Sequence, residues 1–91
     1  MAVSVHIPVA LSRLYGTAPI EQCDPGSVAS ILATLEARHA GLGDRLREPD
    51  GTLRRYVNVF VDGEDVRWHD GVETSVPDGA EVRIVPSVAG G

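Results

Sequence analysis

Val28, Ile31, Leu32 and Leu35 stand at i, i+3, i+4 and i+7, which on a helix of 3.6 residues per turn is one apolar stripe. Four large side chains on one stripe need a covering layer, and the flanking sequence supplies mainly alternating segments that read as strands. The chain is thereby constrained to a helix laid across a sheet. Ahead of the stripe, Asp24-Pro25-Gly26-Ser27 is a helix start, because Ser27 or Asp24 can accept from the unpaired first-turn N–H groups and Pro25 fixes φ. Arg38 and His39 suit the negative end of the helix dipole, and Gly41 followed by Leu42 reads as a left-handed C-terminal cap with its hydrophobic contact. Together these signals predict a helix over 27–40.

The segments around it alternate with period two. Val3, Val5, Ile7 and Val9 oppose Ser4, His6 and Pro8, a half-buried strand whose proline marks a sheet margin or the start of the turn. Leu11 to Gly16 reads as a loop, and a second strand over 17–23 puts Ala18, Ile20 and Gln22 on one face. Beyond the helix, Leu42 and Leu46 form a short irregular or helical turn before Pro49-Asp50-Gly51 breaks the chain. A third strand over 53–61 sends Val57, Val59 and Val61 one way and Tyr56, Asn58 and Phe60 the other, and Asp62-Gly63 closes a tight hairpin. A short fourth strand over 64–68, a loop carrying Val72 and Val76, and a last strand over 80–85 complete the order strand, strand, helix, strand, strand, strand. Such an order implies one sheet with the helix on one face, an α+β roll, and leaves the other sheet face open.

Ninety-one residues, 43% of them hydrophobic, suffice for one two-layer core and not for two. No segment resembles a membrane span or a secretory leader, so the cytoplasm is the expected location. The single cysteine, Cys23, excludes an internal disulfide and a Cys-x-x-Cys site and is read as a packing residue. His6, His39 and His69 lack metal-ligand spacing, so no metal is expected. A formal net charge of -5 argues against nucleic acid and anionic membranes as partners and for a partner with a basic patch. A chain this small has little room for an enclosed catalytic pocket, so an enzyme is the weakest of the functional readings.

The most reactive feature is the end, Ser87-Val88-Ala89-Gly90-Gly91. A carboxylate behind two residues without Cβ is unhindered and fits a narrow site that rejects side chains. Ionised at neutral pH, it can attack the α-phosphate of ATP and leave an acyl-adenylate. With 10 glycines in the chain, two at the end arise by chance in about one chain in a hundred. All eight basic residues are arginines; with no lysine, the chain offers no side-chain ammonium to capture its own activated end, although an arginine-biased composition accounts for the absence equally well.

The order of elements, the Asp24-Pro25-Gly26-Ser27-Val28 helix opening, the stretch Arg55 to Arg67 and the ending Pro86-Ser87-Val88-Ala89-Gly90-Gly91 resemble the β-grasp, ubiquitin-like sulfur carriers of the ThiS/MoaD group. Within that group, Arg55 to Trp68 and Val88 to Gly91 look like the CysO type, carriers for cysteine biosynthesis in actinobacteria. The resemblance implies a β-grasp domain over 1–86, with a mixed sheet and one helix on one face, and a flexible tail over 87–91. It implies a protein co-substrate rather than an enzyme. An activating enzyme of the E1-like kind would adenylate Gly91 with MgATP, the carrier itself binding no cofactor, and a sulfur donor would displace AMP to leave a thiocarboxylate. A sulfur-accepting synthase, for the CysO type a cysteine synthase, would take the sulfur, and a metalloprotease would release the product. Molybdopterin, thiamin or a sulfur-containing natural product are alternative destinations, and a ubiquitin-like interaction domain that is never activated is the alternative class.

On this reading Gly91 is the modified residue, and Gly90, Ala89 and Val88 provide fit. Five residues after Pro86 reach roughly 17 Å when extended, enough to thread a tip into a partner's pocket. Tyr56, Phe60 and Val85 fall on the open sheet face and are the candidate partner surface. Arg54-Arg55 is either a contact for an acidic partner or phosphate or a solvated strand end, and Trp68 is expected to cover an edge of the core.

Overall fold

A computed structural model describes residues 2–86 of the chain. Strands β1 (Val3–His6), β2 (Ile20–Cys23), β4 (Val57–Val61), β5 (Glu64–Asp65) and β7 (Glu81–Pro86) form one sheet in the order β2-β1-β7-β4-β5, while β3 (Gly26–Ser27) and β6 (Ser75–Val76) pair separately. β7 lies in the middle, parallel to β1 with Val5 opposite Val82, and antiparallel to β4 with Val59 opposite Ile84. The mixed sheet and the helix across one face are those the sequence predicts.

That helix, α2 (Val28–Arg38), buries Val28, Ile31, Leu32 and Leu35. They pack against Val3, Val5, Val57, Val59, Val82 and Ile84 in one core. Ser27 is the cap: its hydroxyl accepts from Ser30 N–H at 3.1 Å, and Ser30 Oγ accepts from Ser27 N–H at 3.0 Å, a reciprocal pair that satisfies two backbone donors. The helix ends earlier than predicted, with an extended His39 as its C-terminal cap. Gly41, with φ of 87°, is left-handed as expected but opens the next helix, α3 (Leu42–Leu46), which buries both leucines. A Cβ on Gly41 would stand 3.1 Å from the Tyr15 ring, a tight contact added to the strain of its φ.

Five further expectations are corrected. The predicted loop after β1 contains a helix, α1 (Val9–Tyr15), closed by Gly16 at φ 73°. Only Leu11 and Tyr15 of it pack on the core, and two apolar positions four apart are too few to show a period. The strand expected over 17–23 starts only at Ile20; Ala18, Ile20 and Gln22 are exposed and Cys23 is buried. Similarly, β4 starts at Val57 rather than 53, because Arg54 to Val57 forms a turn in which Val57 N–H donates to Arg54 O at 2.9 Å. Finally, β5 stops at Asp65, whose carboxylate accepts from Arg67 N–H at 2.9 Å and opens a 3-10 turn over Val66–Trp68. Trp68 does not cover the core: it is 84% exposed.

Arginines hold these irregular segments in place. Arg47 forks onto Glu36 at 2.9 and 2.8 Å, joining the end of α3 to α2. Arg54 donates to Asp44 O at 2.6 Å and to Glu48 at 3.1 Å, so it is tied within the excursion after α3 rather than solvated at a strand end. Arg67 donates to Arg54 O at 2.9 Å, to Val57 O at 2.7 Å and to the Asn58 side chain, fastening the 3-10 turn to the start of β4.

Glu21 ties the edge strand β2 to the end of α2, accepting from Ala18 N–H at 2.8 Å and Arg38 at 3.1 Å. His39 Nε2 stands 3.4 Å from the same carboxylate without hydrogen-bond geometry. Burial by itself would raise the Glu21 carboxyl, but the Ala18 N–H, Arg38 and His39 outweigh it and hold the group below the ordinary range. A lowered carboxyl stabilises the fold above its unfolded-state pKa and stops doing so as pH falls through the folded one. Glu21→Gln is therefore expected to cost about 1–2 kcal/mol at neutral pH, and urea titrations of the two chains should converge as the pH drops below the ordinary glutamate range. A gap that persists at acid pH would show that the charge contributes nothing.

Candidate functional site

The sheet face opposite α2 is open, and its composition follows from strand alternation. Along β7, Val82 and Ile84 are buried while Glu81, Arg83 and Val85 are exposed. Along β4, Val57 and Val59 are buried and Phe60 is half-buried. Register places Phe60 opposite Arg83, and His6 of β1 is opposite Arg83 from the other side. Phe60, Arg83 and Val85 thus meet on one surface, where with Asp62, Gly63 and Glu81 they line a shallow hollow of about 510 Å³.

The hollow's acidic end is fixed by the turn between β4 and β5. Asp62 and Gly63 have φ of 50° and 87°, the paired left-handed geometry of a two-residue hairpin, which an Asp-Gly sequence adopts at little cost. Asp62 N–H donates to Glu81 O at 2.8 Å, and Asp62 Oδ1 accepts from Glu81 N–H at 2.9 Å. The Glu81 carboxylate stands 3.3 Å from His6 Nε2.

At the other end of the hollow β7 reaches Pro86, the last described residue. Its register with β1 ends at Arg83, while the pairing with β4 continues to Val57 opposite Pro86. Proline has no N–H, so the ladder has no further donor there. Val88, Ala89, Gly90 and Gly91, the residues expected to carry the chemistry and its fit, lie outside the described residues, as does the boundary of the predicted tail.

Of the predicted partner-surface residues, the fold brings Phe60 and Val85 together and sets Tyr56 apart. β4 begins after Tyr56, so alternation does not carry it onto the open face. Instead it is 47% exposed in the preceding turn, where it lines a smaller hollow of about 170 Å³ with Ala10, Leu11, Arg45 and Pro86. Arg83 was not among the candidates, although the period-two pattern that selects Val85 selects residue 83 equally. Cys23 is buried, and burial pushes its thiol up, away from the reactive thiolate form. Among the described residues no group of three or more His, Cys, Asp or Glu is placed to hold a metal ion, and no helix is long and apolar enough to cross a membrane.

Adjacent residues on β4 should respond oppositely to the same change. Val59 is 0% exposed, so Val59→Asp buries an unpaired carboxylate and is expected to cost more than about 4 kcal/mol. Phe60→Asp leaves its carboxylate on the open hollow and should cost no more than about 1 kcal/mol. Thermal unfolding followed by circular dichroism distinguishes the two, and equal losses would contradict the assignment of faces.

Comparison with known proteins is consistent with this geometry. Residues 5–91 match the ThiS family. The sulfur carrier protein CysO of Mycobacterium tuberculosis is 38% identical over 93 residues, covering 100% of both chains. A putative sulfur carrier protein of Archaeoglobus fulgidus is 31% identical over 91 residues, again covering 100% of both. Among solved structures, a chain in the Amycolatopsis orientalis BexX/CysO complex superposes with a TM-score of 0.90 at 40% identity, over 99% of this chain and 100% of that one. These likenesses establish the β-grasp, ubiquitin-like fold.

Proposed function

Because this chain belongs to the ThiS family, we propose that it is a sulfur carrier whose Gly91 carboxylate is adenylated by an E1-like enzyme and converted to a thiocarboxylate for cysteine biosynthesis. The observation that carries the reading is full-length similarity to proteins named as sulfur carriers, reaching through the terminal residues. The CysO name of the relatives at 38% and 40% identity is what favours cysteine as the destination.

The chemistry follows from the groups involved. An ionised carboxylate is a poor acyl donor, so its oxygen first attacks the α-phosphate of MgATP, held by the activating enzyme, and pyrophosphate leaves. A sulfur nucleophile then adds to the acyl carbon and AMP departs with the C–O electron pair. The resulting thiocarboxylate is an ionised nucleophile at neutral pH and needs no base from this chain. Gly90 and Ala89 keep the approach narrow, and the β-grasp domain presents the tail. The hollow formed by Phe60 and Val85 is the surface by which the activating enzyme recognises the carrier. BexX is named as a companion of the Amycolatopsis orientalis CysO, which supports a folded partner enzyme for this chain too.

Intact-mass measurement after incubation with MgATP, sulfide and the activating enzyme tests the reading. Replacement of one oxygen by sulfur is expected, and it should vanish on deleting Gly91 or on adding one residue beyond it. No mass change with any cognate activating enzyme would instead favour a β-grasp binding module that is never activated. Phe60→Asp should weaken binding of the activating enzyme at least about tenfold; unchanged affinity removes the open face from the interface.

A further inference from the structure

Arg83 is the charge on the open face that the fold leaves unused. Arg38, Arg47 and Arg54 are each held by a carboxylate, and Arg67 by backbone carbonyls. The Arg83 side chain is exposed and forms no ion pair or hydrogen bond among the described residues. The two carboxylates on the rim of its hollow are engaged elsewhere, Asp62 by Glu81 N–H at 2.9 Å and Glu81 by His6 at 3.3 Å.

Its surroundings set what it can bind. Arg83 lines both the large hollow, with Phe60 and Val85, and a smaller one of about 190 Å³ with His6, Pro8 and Pro86. It therefore forms a cationic ridge between two depressions with apolar walls, beside the exit of β7. A partner that covers Phe60 and Val85 strips water from this guanidinium, which then needs acceptors from the partner, and a carboxylate compensates its charge as neutral carbonyls do not. The planar fork of arginine fits a carboxylate through two parallel N–H donors.

We propose that Arg83 receives an Asp or Glu carboxylate set among apolar side chains on the activating enzyme, and so fixes the register in which the tail is offered. The inference rests on the carrier reading above. A nucleotide phosphate is the competing anion, and charge reversal on the enzyme separates the two, because only a protein carboxylate changed to arginine can restore Arg83→Glu. The acidic end of the hollow at Asp62 and Glu81 gives the surface a direction, because a carboxylate placed there is repelled.

The test uses the full chain and the activating enzyme that converts it in the mass assay, with affinity measured by calorimetry at two salt concentrations. Arg83→Gln is expected to weaken binding about tenfold and Arg83→Glu about 30-fold or more, with Arg83→Lys between wild type and Arg83→Gln. Wild type should lose more affinity with salt than Arg83→Gln does. Ala33→Glu, on an exposed turn of α2, lowers the net charge as much as Arg83→Gln and should bind like wild type. An Asp or Glu to Arg change on the enzyme that restores Arg83→Glu identifies the partner carboxylate. If wild type is converted but Arg83→Gln and Arg83→Glu bind as Ala33→Glu does, the role of Arg83 is overturned and the carrier reading stands. If wild type is never converted, the carrier reading itself fails. Unfolding midpoints equal to that of wild type for Arg83→Gln separate loss of contact from loss of fold.

Discussion

Everything in this fold depends on the backbone ladder that places the last strand in the middle of the sheet. β7 hydrogen-bonds to β1 on one side and β4 on the other, so the first and last strands of the domain are parallel neighbours. Val82 and Ile84 on this strand reach under α2, joining Val3 and Val5 from β1 and Val57 and Val59 from β4 in one core. Without β7 the sheet falls into two hairpins, and a lone hairpin is marginal in water. The strand that leads toward the tail is therefore also the one that completes the core, and the position of Pro86 is as well determined as the sheet.

Placing that strand centrally also divides the work of its side chains. One face is spent on cohesion, and the other is left to whatever meets the protein. The arginines divide in the same way. Arg47, Arg54 and Arg67 secure segments with little regular hydrogen bonding of their own and Arg38 ties α2 to the edge strand β2, whereas Arg13, Arg45, Arg55 and Arg83 form no ion pairs among the described residues. A chain with a formal charge of -5 thus keeps individual cations at the surface, and its net charge is a poor guide to the sign of any one contact.

The sequence made the large periodic elements legible. The helix stripe, the Ser27 cap, the Asp62-Gly63 turn and the inward valines of β1, β4 and β7 are where they were expected, because each is decided by local spacing and burial together, whereas Val9, expected inward on the first strand, opens α1 and is exposed. Departures occur where a few hydrogen bonds decide the outcome. The Asp65 cap turns the chain out of β5, and Arg67 draws in the carbonyls of Arg54 and Val57 ahead of β4; neither contact has a periodic signature. Tyr56 was assigned to a face by extending an alternation past the residue at which the strand begins. The open face was readable in outline, through Phe60 and Val85, but not the engagement of Glu81 by His6, which needs the parallel register of β1 and β7 to be known.

Trp68 is the one tryptophan of the chain, held on a turn that is anchored by its neighbours while its own ring packs on so little. An indole already in contact with water in the native state emits much as it does in an unfolded chain. Tryptophan emission is consequently a blind reporter of the unfolding of this domain, whose stability is better followed through its backbone signal. The same indole, exposed on the turn that follows β5, is an optical gauge of anything that settles on that edge of the sheet.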